Sequence, residues 1–285
     1  MKNAVAPVRC YKRGVDLLVV GHVTRDEIAG EVRLGGAASY AALAAACLGY
    51  DTALVTVAPP DDPLLEPLRR APRIALHCVP GDVMTTFGLD YAGGERRLWL
   101  RRRARPLAIE DVPAEWRRPR VAYVGAVAGE CDTAFVKALN ASFVGAGLQG
   151  WLRRTDHDGR VQPIRSLKDA PFLQDRLPLN VAVGSEEDHA SVEDVVAVFA
   201  RKGAFWAITR GARGATIGTA TERIDVPAAA ANEVDPTGAG DVFGVVLTLE
   251  LANGKPLVAA GRAAAAAAAR VVEGPGLGTL TAPQP

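Results

Sequence analysis

Short runs of aliphatic and β-branched residues recur along the chain, and stretches with helical spacing separate them. Residues 15–20 form the first run, which is apolar at nearly every position and ends at Gly21. Strands that are buried on both faces of a parallel sheet have this composition. Equivalent runs predict further buried strands at residues 53–57, 121–124, 181–183 and 204–209.

The segments between these runs favour helices. Residues 35–49 read as a loop that enters an alanine-rich helix, and helix-compatible sequence follows at 133–144 and 192–202. The strongest helical patterns cover 239–252 and 256–272. Strands that alternate with helices predict an α/β fold, a three-layer α/β/α arrangement around a doubly wound, mostly parallel sheet. We expect residues 1–285 to form a single domain.

Two segments interrupt the alternation and predict a small accessory sheet. Residues 23–34 and 85–103 carry short strand patterns, and the second surrounds a turn-forming Ala-Gly-Gly at 92–94. We expect antiparallel strands here, which form a lid from about 23–34 and 83–105. An exposed lid edge could also pair with a second chain, so we consider a homodimer through the lid.

Composition restricts the partners. The chain has a formal net charge of +1 over 285 residues, which supplies no basic face for nucleic acid or for an anionic membrane. Six arginines between positions 96 and 105 allow a solvated lid strand, a clamp for a phosphate or acidic substrate, or a nucleic-acid contact. The N-terminal residues lack the apolar core of a signal peptide, so a cytoplasmic protein without a membrane span is expected.

The most informative segment is the turn-rich stretch 232–241, which leads directly into a predicted helix. Gly238, Ala239 and Gly240 have small or absent side chains, so their amides can approach a charged oxygen at the positive end of that helix. Asp241 follows in the first turn. Its carboxylate would either cap the helix or accept a proton from an attacking hydroxyl.

The segment Asp-Pro-Thr-Gly-Ala-Gly-Asp at 235–241 resembles the C-terminal signature of the ribokinase-like (PfkB) carbohydrate kinase family. The resemblance implies that Asp241 is the catalytic base, and that Gly238, Ala239 and Gly240 form the anion hole for the transferred phosphoryl group. It also implies ATP and Mg²⁺ as cofactors.

The resemblance extends to the N-terminal part of the chain, where it implies substrate contacts. The pair Gly35-Gly36 is similar to the motif whose backbone lies against the substrate, and Asp26 matches the aspartate that binds substrate hydroxyls. Tyr40 replaces an asparagine that is common in ribokinases, which argues against ribose. Arg153, in the segment Gln-Gly-Trp-Leu-Arg, either faces the phosphates or the substrate or is a surface residue.

A second group of residues resembles the nucleotide-binding segments of the family. Thr209, Gly211 and Gly214 resemble the loop at the end of a strand where glycines admit the triphosphate, and Thr237 lies in the signature itself. Glu187 aligns with a glutamate that organises magnesium, although Gly184 replaces the asparagine of that motif. The run of acidic residues around Glu187 is equally compatible with a solvated helix start.

These residues together predict a kinase that transfers phosphate from ATP to an alcohol group of a small polyol or sugar. The sequences of the Gly35-Gly36 motif and of the Gln-Gly-Trp-Leu-Arg segment favour the myo-inositol kinase-like branch of the family. A nucleoside or another sugar is the alternative acceptor. A catalytically silent regulator that binds sugar or nucleotide on the same fold is the alternative class of protein.

Overall fold

The computed structural model describes residues 14–90, 97–166, 168, 170, 177–201 and 203–281. The turn that the sequence predicts at 92–94 lies outside these residues, as does the N-terminal segment before Gly14.

The described residues form a central sheet of nine strands. Apolar runs build its middle, where β1, β4, β5, β8, β9, β12 and β13 pair in parallel. Strands β14 and β15 extend one edge in antiparallel pairing, and the order across the sheet is β15-β14-β13-β12-β9-β8-β1-β4-β5. The strands of this sheet are β1 (Leu17–Val20), β4 (Thr52–Ala58), β5 (Ile74–Pro80), β8 (Val121–Val124), β9 (Phe143–Gly147), β12 (Val181–Ser185), β13 (Phe205–Thr209), β14 (Ala215–Gly218) and β15 (Arg223–Val226).

Helices cover both faces of this sheet. The described helices are α1 (Ala37–Cys47), α2 (Glu66–Arg70), α3 (Thr133–Ala138), α4 (Val192–Arg201), α5 (Ala239–Ala252), α6 (Leu257–Val271) and α7 (Gly278–Thr281). Successive residues of β1 point to opposite faces, so Leu17 and Val19 join the apolar cluster beneath α1, α5 and α6. Leu18 and Val20 join a second cluster beneath α3 and α4. The three-layer α/β/α architecture that the sequence predicts is therefore confirmed.

A second, four-stranded sheet lies apart from the central one in the order β3-β2-β6-β7. Its strands are β2 (Thr24–Ile28), β3 (Glu31–Gly35), β6 (Thr85–Asp90) and β7 (Arg97–Arg102). A hairpin of β10 (Arg153–Thr155) and β11 (Val161–Pro163) approaches it, because the amide of Leu100 donates to the carbonyl of Gly159 at 2.8 Å.

Two expectations about these elements were wrong. The strands of the small sheet are not all antiparallel, since β2 and β6 pair in parallel. The chain returns to the central sheet between them, so the two strands run in the same direction. The predicted helix at 133–144 ends at Ala138, and its last residues enter β9 instead. A short apolar stretch has no periodicity that separates a buried helix from a buried strand.

Candidate active site

The glycine-rich loop ends in a left-handed residue that starts α5. Gly238 has φ of 83° and occupies the N-cap position without a side-chain cap. Val242 is the first residue whose amide donates to an acceptor four positions back, the carbonyl of Gly238 at 2.9 Å. The amides that precede Val242 therefore lack helical partners, and they carry the positive end of the helix dipole. Ala239 is partly engaged, because its amide donates to the Pro236 carbonyl at 3.3 Å.

Asp235 holds the loop in this shape. Its carboxylate accepts hydrogen bonds from the amides of Thr237, at 3.0 Å, and Gly276, at 2.9 Å. Burial acts to raise the pKa of Asp235, but the hydrogen bonds from Thr237 and Gly276 outweigh it and the pKa is lowered. The carboxylate stays charged and fastens the loop to the segment after α6. Thr237 thus has a clear role in shaping the loop.

Asp241 occupies the third position of α5 and is half-buried. It is not the N-cap, since Gly238 has that position. The side-chain amide of Gln149 donates to Asp241 Oδ1 at 3.0 Å. Gln149 follows the end of β9, so two distant segments meet here. Sequence reasoning did not assign a role to Gln149, although the motif that contains Arg153 includes it.

Tyr40 lies directly beneath the loop. Its ring is 2% exposed, and a Cβ added at Gly238 would lie 2.1 Å from the ring atom Cδ1. Burial raises the pKa of Tyr40, and the charges of Asp235, Asp26 and Asp241 raise it further. The phenol therefore stays protonated among three carboxylates. Its ring supports the glycine loop by packing.

The paired glycines pass against Asp26. A Cβ at Gly35 would lie 2.0 Å from Asp26 Oδ2, and one at Gly36 would lie 2.6 Å from the carbonyl of His22. Gly36 also has φ of 91°, which L side chains rarely adopt. Asp26 Oδ1 accepts a hydrogen bond from the Thr24 hydroxyl at 2.7 Å. Both positions therefore require glycine, and the structure brings the pair together with Asp26.

Four side chains form a row across one face of the small sheet, and the arginine at one end of the row approaches the glycine loop. Arg33, Asp26, Phe87 and Leu100 lie opposite one another in neighbouring strands, so they share one face. Arg33 Nη1 lies 4.0 Å from Asp235 Oδ2. The small sheet thus reaches over the loop that begins α5 and presents Asp26 on the same side.

The residues predicted to bind the nucleotide include one near the N-terminal end of α5. A Cβ at Gly240 would lie 3.7 Å from the Thr209 hydroxyl, at the end of β13. Gly211 and Gly214 have φ of 53° and 84°, and a Cβ at Gly214 would lie 2.1 Å from the carbonyl of Val226. The tight turn after β13 therefore depends on glycine, and Thr209 borders the glycine loop.

The acidic run after β12 divides into three different environments. Glu186 forms an ion pair with Arg213. Glu187 is exposed. Asp188 is only 7% exposed and accepts a hydrogen bond from the amide of Ser185 at 2.8 Å. Burial raises the pKa of Asp188, against the opposite effect of Arg153, whose guanidinium lies 3.7 Å away. Sequence reasoning missed Asp188, because three consecutive acidic residues do not reveal which one turns inward.

Arg153 lies at the start of β10, with a side chain that is 26% exposed. It borders a cavity of about 310 Å³ between the small sheet, the hairpin and the ends of β8 and β9. The structure therefore places Arg153 at the wall of a cavity.

The described residues carry one cluster of potential metal ligands, and it lies away from the glycine loop in sequence. The one group of side chains with the spacing of a metal site within these residues is the cluster Asp156, His157 and Asp158, which is largely exposed and remote from α5 in sequence. No helix in the described part of the chain is both long and apolar enough to cross a membrane.

Comparison with known proteins identifies the fold. A pyrophosphate-dependent kinase in the ribokinase family, solved with a pyrophosphate analog and myo-inositol, superposes with a TM-score of 0.77 at 17% identity and covers 91% of this chain and 96% of its own. Adenosine kinase from Sinorhizobium meliloti has a TM-score of 0.73 at 16% identity, covering 93% and 95%. A double mutant of fructokinase from Vibrio cholerae O395, bound to fructose, ADP and potassium ion, has a TM-score of 0.70 at 18% identity, covering 95% of this chain and 96% of its own. The search of curated proteins gave no significant match.

The architecture is therefore that of the ribokinase-family kinases. The sequence gives a narrower result, since residues 179–285 match the model of the pfkB family carbohydrate kinases. This match covers the glycine loop, Asp241, Thr209 and Glu187. The resemblance to the PfkB family is confirmed, and it supports a phosphotransferase.

Proposed function

We propose that the protein transfers the terminal phosphoryl group of ATP to an alcohol group of a small polyol or sugar, with Asp241 as the base. The observation that carries this proposal is the position of Asp241. Its carboxylate stands in the first turn of α5, next to the amides of a left-handed glycine loop, and Gln149 orients it. A phosphoryl group and an attacking hydroxyl need these two features side by side.

The reaction follows from this arrangement. The acceptor oxygen attacks the terminal phosphorus, a new O–P bond forms, and the bond to the bridging oxygen breaks to release ADP. Asp241 takes the hydroxyl proton. The amides at Gly238, Ala239 and Gly240 stabilise the charge on the transferred oxygens, because they are fixed before the reaction begins.

The donor would lie between the turn after β13 and the glycine loop, with Thr209, Gly211, Gly214 and Thr237 beside it. Mg²⁺ keeps most of its water and uses one or two carboxylates together with substrate phosphates. Glu187 fits that requirement, since its neighbours Glu186 and Asp188 are paired with arginines and its own side chain is exposed. Bound Mg²⁺ would neutralise charge on the donor phosphates.

Pyrophosphate is a second candidate donor, because several similar structures are those of pyrophosphate-dependent kinases. Both donors present terminal phosphates to the same loop. The assay must therefore compare ATP with pyrophosphate at equal magnesium concentration.

The acceptor would lie beneath the small sheet, between Asp26 and Asp241. We propose that the segments at about 23–34 and 83–105 act as a lid on a single domain that spans residues 1–285. Gly35 and Gly36 let the backbone pass close to the substrate, and Tyr40 and Arg153 border the same region. A nucleoside or another sugar stays an alternative acceptor, as does a homodimer through the lid as an assembly.

The test is turnover by wild type and by Asp241→Asn with a panel of inositols, hexoses, pentoses and nucleosides. We expect the substitution to lower turnover by about 10²-fold or more, the usual contribution of a positioned acid–base group. The fold should persist, because Asn can still contact Gln149. Near wild-type turnover by Asp241→Asn would remove this residue from the reaction.

Nucleotide binding distinguishes the enzyme from a silent regulator. Asp241→Asn should bind MgATP with nearly wild-type affinity in calorimetry, since the base does not hold the donor. A wild-type protein that binds MgATP and sugar but makes no phosphorylated product would support the regulator instead.

A further inference from the structure

The cavity of about 310 Å³ has two chemically different walls. One wall is apolar, and the other carries guanidinium groups. The residues that define this contrast are Phe87, Leu100 and Val161 on the first wall and Arg103, Arg153 and Arg154 on the second. The volume lies at the lower end of the range for small-molecule sites.

Two of the lining residues connect the cavity to the proposed reaction centre. Gly150 lines it, and the preceding residue, Gln149, donates its hydrogen bond to Asp241. Phe87 lies opposite Asp26 in the neighbouring strand and on the same face of the small sheet. Asp26 is therefore the cross-strand neighbour of one lining residue, and Asp241 is hydrogen-bonded to the chain neighbour of another.

Arg103 contributes a positive charge to the cavity wall. Its guanidinium stands at the cavity wall, since a Cβ at Gly129 would lie 3.6 Å from Arg103 Nη2, and both residues line the cavity. It makes no hydrogen bond or ion pair with the described part of the chain. The neighbouring cations are paired differently, as Arg105 binds Asp111 and Arg101 contacts Glu27.

The hairpin adds two further arginines. Arg153 shares the cavity-facing side of β10 with Thr155, and its charge is partly offset by Asp188 at 3.7 Å. Arg154 donates to the neutral side chain of Gln162 at 2.5 Å, and its buried Nε has no partner within the described residues.

The lining contains no acidic residue among the described positions. The carboxylate of Glu130 lies below it but is fully buried, where it accepts hydrogen bonds from the amides of His22, Val127 and Ala128. The charges at the wall are therefore predominantly positive. Neutral polyols are held by acceptors such as carboxylates and amide oxygens, whereas guanidinium pairs match the planar oxygens of carboxylates and phosphates.

We propose that the acceptor is a polyol or sugar that carries an anionic group, either a carboxylate or a phosphate ester, which Arg103 and Arg153 bind. This inference rests on the proposed function, which supplies the hydroxyl and the base at the other end of the same ligand. The apolar wall covers the carbon skeleton. Asp26 and Asp241 face the hydroxyl end, where a second negative group would be repelled.

The experiment uses acceptors that differ in charge on one carbon skeleton. Fructose is compared with fructose 6-phosphate and fructose 1-phosphate, and glucitol with gluconate, using whichever donor the enzyme accepts. We expect a charged member to exceed its neutral partner in kcat/KM by about 10- to 100-fold, the usual effect of one or two charge-assisted hydrogen bonds. The phosphate and carboxylate series separate the two sources of charge.

Arg103→Gln should lower this preference by about 10-fold or more, mainly through KM, because the interaction holds the substrate before reaction as well. Arg101→Gln is the matched control. It removes the same charge two positions earlier, at the end of β7, but on the opposite face of the small sheet, where Arg101 packs over Gly88 beside Glu27. The control should keep the wild-type preference.

Binding is measured separately by calorimetry of fructose 6-phosphate and gluconate with the wild type and the two variants, without donor. The anion site is supported if Arg103→Gln weakens anion binding and Arg101→Gln does not, even when no phosphoryl transfer occurs. In that case the absence of transfer would overturn the proposed function alone. Equal turnover of charged and neutral members, or no binding of either anion, would overturn the anion site.

Discussion

Two glycines in the same loop should respond to alanine in opposite directions. Gly238 has φ of 83°, and its added Cβ would lie 2.1 Å from Cδ1 of the buried Tyr40 ring. Gly240 lies in the first turn of α5, and its added Cβ would meet the hydroxyl of Thr209 only at 3.7 Å. The chemical change is identical, so the comparison isolates the local environment.

The expected magnitudes follow from these distances. Gly238→Ala costs about 1–2 kcal/mol for the left-handed backbone and about 1–3 kcal/mol for overpacking against Tyr40. The sum, roughly 2–5 kcal/mol, should lower the thermal midpoint by roughly 4–20 °C. Gly240→Ala should instead stabilise the protein by up to about 1 kcal/mol, because alanine favours the helix.

Activity should not follow stability at Gly240. A methyl group there would stand where, in the proposed reaction, the backbone approaches a phosphoryl oxygen, so kcat/KM for the donor should fall about 10-fold or more. Calorimetric unfolding and steady-state kinetics of both variants provide the test. Equal destabilisation by the two substitutions would refute the steric reasoning, and wild-type kinetics of Gly240→Ala would refute the anion hole.

Combining Gly238→Ala with Tyr40→Leu refines the stability result. The smaller side chain removes the overlap but leaves the left-handed backbone unchanged. The two substitutions should therefore be less destabilising together than the sum of their separate effects, with a coupling of about 1–3 kcal/mol. Strict additivity would show that the ring and the loop do not contact each other as described.

Two further perturbations test other parts of the site. Asp26→Ala should raise KM for the acceptor about 10-fold or more and change KM for the donor little, since a carboxylate that holds hydroxyls binds the ground state; equal changes in both constants in steady-state kinetics would contradict this placement. His22 lies between β1 and β2. Its Nε2 donates to the Arg105 carbonyl at 3.0 Å, and its Nδ1 lies 2.8 Å from the Thr85 hydroxyl. Burial lowers the pKa of His22 against the opposing charge of Glu130, so the unfolded chain binds the proton more readily than the folded one. Stability should therefore fall as the pH drops below about 6.5, the ordinary value for histidine, and His22→Gln should flatten this dependence in urea unfolding at pH 5–7.5.

The chain's local sequence patterns predicted much of the fold and the residues of the proposed reaction centre. Apolar runs located the strands at β1, β4, β8, β12 and β13, because a strand that is buried on both faces must be apolar throughout. The helix predicted at 239–252 agrees with α5 in both bounds. The glycine loop and Asp241 are contiguous in sequence, so their proximity needs no folding to be recognised.

Tertiary structure decided the contacts between distant segments. The parallel pairing of β2 with β6 requires the chain to leave the small sheet and return, which a local pattern does not record. Gln149 and Asp241 are 92 positions apart, and only the adjacency of their strand and helix brings them together. The burial of Asp188 behind Arg153 likewise depends on where the hairpin lies. Sequence determines what each segment can form and which chemical groups it carries, whereas packing between segments decides which charges meet, because Coulomb energy depends on distance in space and on burial.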